Sequence, residues 1–142
     1  MSTAPLLTVR RWIRAPAQRL FDAWTDPLQL MRWWGPRGVV CDNAEVDLRI
    51  GGRYRIANRF ADGHVVWIAG VFEVIEPPHR LVYSWFVDDQ QGVGERVTVR
   101  FEPHDAGTEV IVEHERIGDA QARRSHEVGW IGCLDGLESA MV

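Results

Sequence analysis

Apolar and polar residues repeat with a period of two through the middle of the chain and with a longer period at its two ends. RYRIANRF places Tyr54, Ile56 and Phe60 on one side and Arg53, Arg55 and Arg59 on the other. That alternation is expected of a strand with one wet face. RLVYSWFV sets Leu81, Tyr83, Trp85 and Val87 against Val82, Ser84 and Phe86. ERVTVRF sets Val97, Val99 and Phe101 against Arg96, Thr98 and Arg100, and TEVIVEHE sets Val110, Val112 and His114 against Glu109, Ile111, Glu113 and Glu115. HVVWIAGVFEVIEPP predicts a long strand apolar on both faces, ended by Pro77-Pro78. Short turn signals at 61–63 and 104–107 imply an antiparallel meander. Outward arginines on one strand and glutamates on the next would form favourable cross-strand pairs.

The flanks read differently. LLTVRRWIRA predicts a first strand. In APAQRLFDAW, Ala17, Leu20, Phe21 and Trp24 recur at helical spacing behind Pro16. A second short helix follows, with Asp26 as its cap, Pro27 in its first turn and Gln29 completing a pattern like a capping box. Leu28, Met31 and Trp34 would share its buried side, and Gly35-Pro36 stops it. Asp119 can cap a last helix running from about Ala120 to the chain end. The expected order is therefore strand, two short helices, about six strands between Val39 and Glu115, and one long helix. Helices segregated from an antiparallel sheet predict an α+β fold, with residues 1–142 as one domain.

The last helix carries an apolar stripe of His126, Trp130, Leu134, Leu137 and Met141, and a charged arc of Arg124, Glu127, Asp135 and Glu138 with Val128 and Ile131 intruding. Its third side is small: Ser125, Gly129, Gly132, Cys133, Gly136 and Ala140. Each interior glycine costs a helix roughly 0.5–1 kcal/mol relative to alanine. Two arrangements would offset that. The backbone packs tight against a neighbour, or the shaved side roofs a recess, and the two can coexist along one helix.

Composition leans toward the recess. The chain has seven tryptophans among 142 residues, enough large rings to fill a big core or to line something hollow. The net charge of −4 argues against a nucleic-acid partner. No apolar run approaches the ~20 residues that span a bilayer, and no secretory leader pattern opens the chain. Cys41 and Cys133 lack metal-ligand spacing and read as small buried hydrophobes. A cytoplasmic protein without cofactor is expected.

Few residues carry obvious chemistry. HEVGW starts like a zinc-binding HExxH helix, but Trp130 stands where the second histidine should be, so no metal is expected. Gly51-Gly52 is a turn rather than a phosphate loop. Trp33 and Trp34 end the second helix, Trp34 at its buried spacing and Trp33 at a cavity edge. His126 reads either as a core histidine bonded to a carbonyl or as a polar handle or general acid/base facing a pocket. If His114 points inward, it could converge with His126 and Tyr83, and these three are the catalytic candidates. Asp22, Asp47 and Glu73 are the carboxylates considered, with solvated or turn roles favoured.

Taken together, FDAWTDPLQLMRWWGP, the Gly51-Gly52 turn, FADGH, GVFEVIEPPHRLVYSW and HEVGWIGCLDGL resemble the Hsp90-ATPase-activator-homologue family of the START/Bet v 1-like superfamily. The resemblance runs over nearly the whole chain. It implies a helix-grip architecture, in which a curved antiparallel sheet of about six to seven strands wraps a long C-terminal helix and encloses a cavity. It also implies a ligand that is lipid, aromatic or polyketide-like. The alternatives are a chaperone-interacting stress-response protein and a metal-free cyclase or aromatase. A homodimer contact is conceivable at an open strand edge. The residues expected to line the cavity are Trp33, Tyr54, Phe60, Trp67, Tyr83, Trp85, His126, Gly129, Trp130, Cys133 and Leu137.

Overall fold

The structure is a computed structural model that describes residues 6–88, 92 and 94–142. Strand β1 (Leu7–Ile13) leads into helices α1 (Ala17–Thr25) and α2 (Pro27–Trp33). Two very short strands, β2 (Val39–Val40) and β3 (Ala44–Val46), are followed by five longer ones: β4 (Arg53–Phe60), β5 (Val65–Glu76), β6 (Arg80–Val87), β7 (Glu95–His104) and β8 (Gly107–Glu115) lead to helix α3 (Ala120–Ala140), and β1 completes the set of eight strands. The sheet runs β1-β8-β7-β6-β5-β4-β2, with β3 beside β4, and every pairing is antiparallel. This is the helix-grip fold, with α3 held in the concave face.

Period-two alternation settles which side chains meet α3. Leu81, Tyr83 and Trp85 of β6, Val97, Val99 and Phe101 of β7, and Val110, Val112 and His114 of β8 are all buried, and the register aligns them in rows such as Tyr83–Val97–His114. The long strand β5 bends at a register shift between Phe72 and Val74. A bulge of this kind raises local twist and helps curl a sheet around a helix. Expected charge pairs form on the convex face: Arg100 with Glu113, Arg96 with Glu73 at 3.1 Å, Arg59 with Asp42 at 2.6 Å and Arg10 with Glu109 at 3.3 Å.

Both predicted caps are present. Asp26 Oδ1 accepts from the Leu28 amide at 3.0 Å, and Asp119 Oδ1 accepts from the Ala122 amide at 2.8 Å. One helix face differs from expectation. Leu28 is 69% exposed, and α2 buries Leu30 and Trp33 instead. Leu28 lies in the first turn, on the side of the helix away from Leu30 and Trp33. Among the described residues no helix is long and apolar enough to cross a membrane.

Candidate functional site

The small side of α3 has two different fates. A Cβ on Gly129 would meet nothing within 4 Å, whereas one on Gly132 would lie 2.7 Å from Pro36 Cα and one on Gly136 2.4 Å from the Trp33 carbonyl oxygen. Close packing therefore explains the last two glycines, and open space explains the first. The chain after α2 runs directly beneath α3 at Pro36, so the helix backbone must come close there. Nearer its start, α3 lifts off that support.

Beneath the lifted part lies a half-open pocket of about 170 Å³. Trp34, Trp85 and Trp130 form its inner wall, with Ile68, Val66, Val87, Val39, Pro36 and Phe60 around them. Gly129 and Cys133 are its roof, and Ser125 and His126 stand on its α3 side. Trp85 and Trp130 are 5.4 Å apart and Trp34 and Trp130 are 5.5 Å apart, ring to ring. Such offset and edge-on arrangements are the favoured aromatic packings. The pocket is thus apolar, with polar atoms that can be accounted for individually.

Asn58 is fully used: its Oδ1 accepts from Trp34 Nε1 at 3.0 Å, and its amide donates to the Val66 carbonyl at 3.2 Å and the Ile56 carbonyl at 3.4 Å. Burial pushes the Cys133 thiol up to about 12, so that residue serves as a small apolar wall rather than a nucleophile. Trp85 is different. Its indole N–H is buried and has no hydrogen-bond partner, alone in this respect among the buried side-chain N and O atoms of the described residues. An unsatisfied buried donor costs about 1–3 kcal/mol.

Next to the pocket three titratable groups converge. Glu95 Oε1 lies 2.6 Å from His114 Nε2 and 3.0 Å from His126 Nε2, and the two imidazoles are 4.2 Å apart. Burial opposes charge on Glu95, but hydrogen bonds from the two histidines outweigh it and hold the carboxyl at about 2. Burial is also the main reason that the pKa of His114 is lowered; the bond to Glu95 only partly offsets it. Trp130 Nε1 donates to His114 Nδ1 at 3.0 Å. The proton of neutral His114 therefore sits on Nε2 and points at Glu95.

Two histidines and a carboxylate, with ligand atoms within 4.8 Å of one another, are metal-type donors. Their hydrogen bonding is arranged against that use. A metal-binding imidazole coordinates through a lone pair and donates its other N–H outward. Here the second nitrogen of His114 faces an N–H, so neutral His114 has no lone pair left for an ion beside Glu95. The cluster fits a hydrogen-bonded carboxylate shared by two imidazoles.

The model of the "Activator of Hsp90 ATPase homolog 1-like protein" family matches residues 14–141. The chain belongs to this family. No curated protein matches it. Among solved structures it is similar to protein CV1439 from Chromobacterium violaceum, at 28% identity and a TM-score of 0.86 over 96% of this chain and 97% of that one. It is also similar to the AHSA1 protein from Silicibacter pomeroyi, at 26% identity and a TM-score of 0.84 over 95% and 96% of the two chains. The AHSA1-like protein from Aeromonas hydrophila is 26% identical with a TM-score of 0.80 over 96% and 91%.

Within this member of the activator-homolog-like family, the residues expected at the site separate into two groups. Phe60, Trp85, His126, Gly129, Trp130 and Cys133 line the pocket. The other five lie elsewhere, each for a physical reason. Trp33 is not at a rim: it is buried, donates to the Ala23 carbonyl at 2.8 Å and packs 4.8 Å from Trp24. Trp67 is on the convex face under the Arg55 guanidinium, 3.8 Å from its ring centroid, because its neighbour Ile68 takes the inward position. Leu137 is fully buried in the core near the far end of α3. Tyr54 and Tyr83 face a separate space of only about 10 Å³ near α1.

The two tyrosines are also spoken for. Tyr54 donates to the Ser84 carbonyl at 2.7 Å, and Tyr83 accepts from Trp24 Nε1 at 3.1 Å. Burial raises the pKa of both phenols. The expected three-way meeting of His114, His126 and Tyr83 is therefore not formed. The histidines do meet, and their third member is Glu95. Sequence reasoning passed over Glu95 because it follows a polar, glycine-containing stretch and looks like a loop carboxylate. The one available signal was its place on the inward parity of β7, shared with Val97 and Val99.

Proposed function

We propose that the protein binds a small, largely apolar ring compound in the pocket under the first half of α3. The observation that carries this reading is the open volume below Gly129, bounded by three tryptophans, at a point where the neighbouring glycines leave no room at all. Size narrows the ligand. An apolar protein cavity of roughly 150 Å³ accepts benzene, so about 170 Å³ suits one substituted ring or a fused pair reaching into the mouth. A long acyl chain or a polyketide of several rings exceeds it.

Burying about 150–200 Å² of ligand surface at ~25 cal/mol per Å² gives about 4–5 kcal/mol, an affinity near the millimolar range. Tighter binding needs polar contacts. The test is calorimetric titration with ethylbenzene, naphthalene and palmitate, on the wild-type chain and on Gly129→Leu. A leucine at 129 fills the pocket without striking protein atoms at its Cβ. Ring compounds are expected to bind the wild type and to lose binding in the variant, which keeps its fold. Failure of every ring compound, or binding indifferent to Gly129→Leu, would contradict the reading.

A further inference from the structure

Two residues that line the pocket, Trp85 and His126, each carry a ring nitrogen without a partner among the described residues, one a donor and the other an acceptor. Trp85 carries a buried indole N–H without an acceptor. His126 engages Glu95 through Nε2 at 3.0 Å. A carboxylate oxygen accepts and does not donate, so the nitrogen of His126 that faces it is the one suited to carry the hydrogen. In that tautomer the lone pair falls on Nδ1, and no hydrogen bond to it is formed by the described residues. The side chain of His126 remains 19% exposed and borders the pocket. The rings of Trp85 and His126 are 6.0 Å apart at a near-perpendicular 85°. Trp85 and Glu95 are direct cross-strand partners on β6 and β7, so the spacing of the whole set is fixed by the sheet.

A single hydroxyl can satisfy both atoms at once. A hydroxyl donates one hydrogen bond and accepts others, whereas a carbonyl or ether only accepts and an ammonium only donates. Resting on the pocket's being a ring-compound site, we infer that it is built for a phenol: the ring fills the space between Trp34, Trp85 and Trp130, the phenolic O–H donates to His126 Nδ1, and the oxygen accepts from Trp85 Nε1–H. Glu95 acts through His126 as a positioning residue. It fixes the imidazole tautomer, and His114, held by Trp130, fixes Glu95. A site whose polar atoms are paired only by the right ligand discriminates strongly against analogues that leave them unpaired.

The test compares 4-ethylphenol with ethylbenzene and 4-ethylanisole by calorimetric titration at about pH 7.5, where an ordinary phenol is neutral. The wild type is expected to bind 4-ethylphenol at least ~10-fold more tightly than ethylbenzene, the size of one good hydrogen bond. The anisole, which accepts but cannot donate, falls between them. Trp85→Phe keeps a ring and removes the N–H; His126→Leu removes the acceptor. Each should shrink the phenol-to-ethylbenzene ratio about 5- to 10-fold, and because the ratio is taken within one variant, general damage to the pocket cancels. Ethylbenzene and 4-ethylphenol binding equally well to the wild type, or a ratio unmoved by both variants, overturns the phenol assignment and leaves the ring-compound site standing. No binding of any of the three overturns both.

Discussion

The two halves of α3 share a sequence character and differ in what they do. Both carry glycines on the same side of the helix. In the C-terminal half these sit on the Trp33 carbonyl and Pro36, where an added methyl group has no room, and Arg11 of β1 pins the far side through Asp135 at 2.7 Å and Glu138 at 2.9 Å. In the N-terminal half Gly129 faces open space, and the helix meets the sheet through His126, whose Nε2 lies 3.0 Å from Glu95 Oε1. A small-residue stripe therefore does not by itself report a cavity. The neighbour on the other side decides, and here it changes within two helical turns.

The largest effect should come from His114, which is fully buried and holds both Trp130 and Glu95. His114→Ala leaves an indole N–H without its acceptor and opens a void, a loss of about 3 kcal/mol in urea unfolding. The same cluster sets the acid response. His114 has its pKa lowered from 6.5 and Glu95 has its pKa lowered from 4.5 to about 2. In both cases the unfolded chain binds the proton more readily, so stability rises with pH across those ranges. On acidification stability should begin to fall below about pH 6.5 and fall again from about pH 4.5 toward pH 2. The lower step should shrink in Glu95→Gln, leaving the part due to exposed Asp62 and Glu76, whose pKa values are also lowered.

Next in size is the contrast between glycines. Gly136→Ala forces a Cβ to 2.4 Å from the Trp33 carbonyl oxygen, and overpacking of that kind costs about 1–3 kcal/mol, more than the helix gains. Gly129→Ala meets nothing and should stabilise by about 0.5–1 kcal/mol. Equal responses in denaturant melts would erase the distinction between the two halves. The smallest effect is expected at Arg11→Ala. Its side chain is 24% exposed and both carboxylate partners are more exposed still, so the loss should stay within about 1 kcal/mol and shrink in high salt.

Much of this was legible in the chain. Alternation in β4, β6, β7 and β8 identified the inward residues, and Asp26 and Asp119 announced their helices. What escaped shows the limits of period alone. Strand β5 is apolar on both faces, so nothing in HVVWIAGVF says that Ile68 rather than Trp67 turns inward; only pairing with β4 fixes it. Trp34 is buried as its helical spacing implied, and the same ring also forms a wall of the pocket, which spacing alone does not reveal. The meeting of His114 with His126 joins β8 to α3 and requires Glu95 from β7, a three-element contact that no local spacing encodes. Glycines 129, 132 and 136 are indistinguishable until Pro36 and Trp33 are placed beneath the last two.

The seven tryptophans allow one decisive measurement, because each indole N–H is a separate resonance and only Trp34, Trp85 and Trp130 line the pocket. Titration of the nitrogen-15-labelled protein with ethylbenzene should shift those three indole signals, Trp85 most of all. Trp12 and Trp67, on exposed or convex surface, should stay still. Saturating shifts at the three pocket indoles would establish the site. An unchanged spectrum, or shifts led by Trp12 or Trp67, would show that the space under Gly129 holds no ligand.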